Sequence, residues 1–129
     1  MAVIRSLRDL KTYQKARAEA WKIFDASRRF PTEERYSLTD QVRRSSRAVS
    51  AMIGEAWARR RYEAVFVNKV SEALGEATET QVWLDHALAC GYLTHEVHRE
   101  FDGSWAEIGA MLQGMIDKSA SFCGEAVGV

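Results

Sequence analysis

The chain has 129 residues, of which 47% are hydrophobic and 28% charged, and contains a single proline. That length suits one domain, residues 1–129, which buries roughly two-thirds of the unfolded surface, so its stability calls for neither a metal nor a disulfide. No apolar run approaches the about 18 residues a membrane span needs, and the start, MAVIRSLRDLKTY, lacks the apolar core of a secretion signal.

A cytoplasmic location is therefore expected. The two cysteines, Cys90 and Cys123, lie far apart and outside any CxxC spacing, as expected of free thiols in a reducing compartment. The net charge of zero conceals an asymmetry. Residues 1–61 carry 15 Lys/Arg against 7 Asp/Glu, net +8, and residues 62–129 carry 3 against 11, net −8. Such a split suggests that the first half faces the second, within one protomer or between protomers.

In chain order, the first helix is expected from Leu7 to Arg28. Tyr13, Ala16, Ala20 and Ile23 recur at helical spacing, and Trp21 and Phe24 widen the stripe. Pro31 ends it, because the residue before a proline is pushed out of the α region, and Thr32 caps a short turn. A second helix starts at Ser37, where Ser37 and Asp40 form an S-x-x-D start. Leu38, Val42, Ser45, Val49, Met52 and Ala56 then form a seam at alternating spacings of four and three. Arg59, Arg60 and Arg61 suit the negative helix end.

The third helix, Tyr62 to Ala89, carries Phe66, Val70, Ala73, Ala77, Thr80, Leu84 and Ala87 in the same rhythm, and Gly91 stops it. Thr94 caps a fourth helix with Val97, Phe101, Trp105, Ile108, Leu112, Met115 and Ser119 on its stripe. Gly103, Gly109 and Gly114 weaken that helix by about 1 kcal/mol each and leave room for close packing or a kink. From about residue 124 the tail is expected to fray. Four amphipathic segments with short links predict an all-α fold, an antiparallel up-down four-helix bundle.

Chemistry-bearing patterns are few. A polar ladder, Gln41, Arg44, Glu55 and Arg59, runs beside the second seam, and Glu72, Glu76 and Glu79 face outward on the third helix. Ion pairs of Arg44, Arg59, Glu55 and Glu79 between helices or subunits are expected from the opposed charges. A di-iron bundle needs Glu-x-x-His on two helices. None of His86, His95 and His98 has Glu three residues earlier. No metal or other cofactor is expected. No serine or cysteine lies in a catalytic motif and no glycine-rich phosphate loop exists, which argues against an enzyme.

Arg43, Arg47, Arg60 and Arg61 offer a basic surface for nucleic acid or another partner. Trp21, Ile53, Trp57 and Trp83 fall outside the narrow seams, and large aromatics off the core are favoured interface residues. With the charged halves they predict a head-to-tail ring of identical chains, with Arg43, Arg47, Arg59 or Arg61 near Glu72, Glu76 or Glu79.

The stretch FPTEERYSLTDQVRRSSRAVSAMIGEA resembles the signature of the 23S rRNA intervening-sequence protein family, approximately FPxxExxxLxxQxxRxxxSxxxNIxEG. The matching residues are Phe30, Pro31, Glu34, Leu38, Gln41, Arg44, Ile53 and Glu55. Ala48, Met52 and Ala56 stand where that pattern has Ser, Asn and Gly. EALGEATETQVWLDHALACGYL resembles the family's third helix through Ala73, Gly75, Glu79 and Gly91–Leu93. The resemblance spans about Leu7 to Ile116. It implies a four-helix bundle assembled as a ring-shaped homopentamer of largely unassigned role. A basic branch of the family, the accessory protein of diversity-generating retroelements, binds a reverse transcriptase and nucleic acid. The expectation is a non-enzymatic oligomeric scaffold or adaptor, with an RNA- or reverse-transcriptase-linked accessory protein as the alternative.

Overall fold

The computed structural model describes residues 3–124. Four α-helices, α1 (Lys11–Ser27), α2 (Leu38–Ala58), α3 (Glu63–Ala89) and α4 (His95–Asp117), are joined by short connections, with 3-10 turns at Leu7–Asp9, Thr32–Glu34 and Ser119–Ser121. No strand occurs among the described residues. Packing runs α1 on α2, α2 on α3, α3 on α4 and α4 back on α1, closing an up-down four-helix bundle.

The core is where period and volume agree. On α3 the buried residues are the seven of the predicted stripe, Phe66 through Ala87. On α4, Phe101, Trp105, Ile108, Leu112 and Met115 are buried. Among the described residues Trp105 is the largest wholly buried side chain, and its indole N–H has no hydrogen-bond partner there. Gly103 and Gly114 have open space where a Cβ would stand, so neither serves close packing. α4 runs unbroken through Gly103.

The seam predicted for α2 is too narrow. Met52 is only half-buried, whereas Thr39, Ser46, Ile53 and Trp57 are buried beside Leu38, Val42, Ser45, Val49 and Ala56. The buried arc of α2 therefore spans two rows, where that of α3 has one. Ile53 at 0% exposure and Trp57 at 7% therefore belong to the protomer core. Neither can serve as the partner-contact residue predicted from the sequence. Trp21 departs in the opposite sense: it is 59% exposed and adds nothing to the core.

The helix ends are set by local chemistry. Leu10 takes an extended conformation and separates the first 3-10 turn from α1, which begins later than its periodicity suggested. The S-x-x-D start of α2 does not form. The Ser37 hydroxyl instead donates to Glu34 Oε1 at 2.6 Å, and the same oxygen accepts the Leu38 N–H at 3.4 Å. A carboxylate three residues ahead of the cap satisfies the helix start. Gly91, at φ 78°, closes α3, with its N–H on the Leu88 carbonyl and the Tyr92 N–H on that of Ala87. This is a Schellman ending. Thr94 caps α4 as predicted, its hydroxyl accepting the Val97 N–H at 3.1 Å. After α4, Ser119 donates to Glu63 Oε2 and Phe122 stacks on Phe66. Gly124 reaches the Arg60 carbonyl; the rest of the expected frayed tail lies outside the described residues.

Candidate functional site

The polar ladder is assembled only in part. Its centre is Glu79 on α3. Glu79 Oε1 accepts the Trp83 indole N–H at 3.1 Å and lies 3.8 Å from Arg44 Nη2, which also donates to Gln41 Oε1 at 2.7 Å. Beneath them the Ser45 and Thr80 hydroxyls share a buried hydrogen bond of 2.9 Å. Glu76 joins from the same helix face. One of its oxygens is buried without a hydrogen-bond partner among the described residues, and burial, together with the neighbouring Glu79, raises its pKa. Glu55 lies three turns further along α2 and pairs with Lys69 at 3.5 Å, half-exposed. Arg59 makes no ion pair among the described residues. The ladder is thus an α2–α3 cross-link at Gln41, Arg44 and Glu79, with Glu55 a separate rung and Arg59 outside it.

Beside this cross-link an open cleft of about 480 Å³ is lined by Tyr36, Leu38, Gln41, Trp83, His86 and Cys90, with Glu34 and Ser37 at its edge. Tyr36 is 86% exposed. Trp83 is half-buried, tilted against the His86 ring. On α1, Trp21 stands clear of the protein surface. Arg17 lies between the Tyr13 and Trp21 rings, 5.3 and 4.9 Å from their centroids.

The four arginines of the basic surface lie in two clusters, one at each end of α2. Each helical residue turns the face by about 100°, so Arg43 and Arg47 project toward α1 whereas Arg44 projects toward α3. Three guanidinium groups converge on Phe24: Arg43 at 4.6 Å, Arg47 at 5.4 Å and Arg28 at 5.8 Å. Arg43 Nε donates to the buried Ser27 hydroxyl at 2.7 Å. Burial, then the charges of Arg47 and Arg28, lower the Arg43 pKa. At the far end of α2, Arg60 stacks on Trp57 at 3.8 Å and donates to the Trp57 carbonyl, while Arg61 lies over Tyr62. Within the chain, neither Arg43 nor Arg47 meets Glu72, Glu76 or Glu79. Arg44 takes Glu79 and Lys69 takes Glu72 instead.

Two polar groupings had no sequence signal. His98 Nε2 and Asp85 Oδ1 are 2.8 Å apart across α3 and α4, and Gln81 donates to Asp102 Oδ1 alongside. The donor atoms of Asp85, His98 and Asp102 fall within 4.8 Å of one another. They offer three ligands to a metal ion, although Asp85 is largely in solvent. His95, on the first turn of α4, is exposed and takes no part in this grouping. The second grouping joins distant loops. The Tyr92 hydroxyl donates to Glu34 Oε2 at 2.8 Å, and the Phe30 and Tyr92 rings lie 5.5 Å apart. Hydrogen bonds from Ser37 and Tyr92 lower the Glu34 pKa, and the Glu34 bond pushes that of Tyr92 up to about 12. Cys90 and Cys123 are both free thiols, and burial raises the pKa of Cys123. Among the described residues no helix is long and apolar enough to cross a membrane.

The phenylalanine–proline–glutamate turn before α2 and the glycine–tyrosine–leucine turn after α3 are thus joined in space. A model of the 23S rRNA-intervening sequence protein family matches residues 8–114. The chain belongs to that family. A solved structure with the same architecture is a protein of unknown function from the S23 ribosomal protein family of Bacteroides thetaiotaomicron VPI-5482. It is 28% identical with a TM-score of 0.75, the match covering 83% of this chain and 96% of that one. No curated protein matches the chain. The family match extends from just before α1 to within the last turn of α4 and so takes in all four helices.

Proposed function

We propose that this family member is a non-enzymatic scaffold or adaptor that works as a ring of identical chains. One observation carries the reading: a protruding aromatic and an aromatic-lined cleft on different faces. Trp21 projects from α1, flanked by Arg17. The cleft between the start of α2 and the end of α3 presents Tyr36, Trp83 and His86, with Glu34 at its edge. A tryptophan beside a cation suits an apolar cleft beside a carboxylate. A knob and a hole on separate faces give a head-to-tail contact, which closes into a ring when the rotation permits. The charge split acts in the same sense, since it places basic and acidic surfaces on different helices. The resemblance to ring-shaped homopentamers supplies the number five.

Trp21→Asp tests the contact. Trp21 leaves the core untouched, so the variant should keep the wild-type helical signal yet sediment as a single chain. A wild-type protein that sediments as a ring, with the variant sedimenting identically, would remove Trp21 from the contact.

A further inference from the structure

The geometry points to a binding site for a phosphate-bearing anion in the arginine-lined cleft between the end of α1 and the start of α2. This site lies within one chain and does not depend on the ring. Two adjoining hollows of about 370 and 420 Å³ share Arg35, Thr39 and Arg43. Arg28 adds a guanidinium to the first and Arg47 to the second.

Three features distinguish this place from an ordinary solvated basic face. The first is missing counter-charge. Arg35, Arg43 and Arg47 have no carboxylate within ion-pair distance among the described residues. Arg28 has only Asp25 at 3.9 Å, and Asp40 stands at the edge of the second hollow. Like charges held together without compensation repel each other, and an anion between them removes that cost. The second feature is preorganisation. The Phe24 ring gathers Arg28, Arg43 and Arg47, and the Ser27 hydroxyl holds Arg43 by Nε, leaving its two terminal nitrogens for a ligand. Planar guanidinium groups fixed in this way match the oxygens of phosphate in pairs.

Thr39 is the third feature. It lies in the first turn of α2, is only 7% exposed and lines both hollows, and its hydroxyl has no hydrogen-bond partner among the described residues. A hydroxyl with no partner in the chain is free to donate to an anion that enters the cleft. The positive end of the α2 dipole also favours an anion here.

Calorimetric titration of the full chain with inorganic pyrophosphate at low salt tests the site. Saturable binding is expected. Arg35→Gln and Arg47→Gln should each weaken it about tenfold or more, the scale of a lost charge-assisted hydrogen bond. Arg59→Gln, the same charge change outside the cleft, should leave it near wild type. Arg35 and Arg47 are exposed, so both variants should melt as the wild type does, and that is checked in parallel. A single-stranded RNA oligonucleotide that displaces pyrophosphate would assign the phosphates to a nucleic-acid backbone. Pyrophosphate that RNA cannot displace would assign them to a small free ligand. Either result supports the site. Absence of saturable binding by the wild type, or equal weakening by Arg59→Gln, would overturn it.

Discussion

Glu34 is the residue on which the most local structure depends. It starts α2 through Ser37 and Leu38 and reaches across the bundle end to Tyr92. Its part in the sequence pattern was legible, but its chemistry was not. Ser37 and Asp40 looked like the cap because capping rules are local, whereas the observed cap draws on a turn before the helix and a loop 58 residues away. The Tyr92 bond has a measurable consequence. In the folded state Tyr92 ionises near 12, above its ordinary value of 10.0. A raised pKa stabilises the protonated fold fully below pH 10 and loses that contribution as the pH rises toward 12. Absorbance titration should show one tyrosine ionising near the upper value, and Glu34→Gln should bring it back toward 10.0. A titration unchanged by Glu34→Gln would show that the carboxylate does not hold the phenol.

At the scale of elements, α3 and α4 were readable because one apolar row per helix meets the core. α2 was not, since Thr39, Ser46, Ile53 and Trp57 form a second buried row beside the seam and a single heptad row cannot describe both. Ile53 and Trp57 were misplaced for that reason. The glycines divide by backbone geometry. Gly91 sits at φ 78°, a conformation that disfavours any side chain. Gly91→Ala should cost on the order of 1–2 kcal/mol of stability. Gly103, mid-helix with open space around it, should behave oppositely. Gly103→Ala should raise stability by about 0.5–1 kcal/mol, the difference in helix propensity. Chemical denaturation of the two variants checks both signs. Stabilisation by Gly91→Ala, or loss of stability in Gly103→Ala under conditions where the chain is monomeric, would contradict these assignments.

For the whole molecule, the bundle itself was legible from length, periodicity and the nearly proline-free chain. Surface organisation was less so. The +8 and −8 halves suggested broad pairing of arginines with glutamates. Instead the chain pairs Lys15 with Glu107, Arg44 with Glu79 and Lys69 with Glu55 and Glu72, and gathers Arg28, Arg43 and Arg47 around one phenylalanine. Sequence spacing shows which residues share a helix face but not which neighbouring helix that face meets. The basic cleft, the Trp21 projection and the Tyr36–Trp83 cleft remain available for ligands or other chains. Native mass spectrometry at low micromolar concentration tests the ring most directly. The prediction is one dominant species with five times the 14.6 kDa mass of the chain. A dominant mass of one or two chains would contradict it.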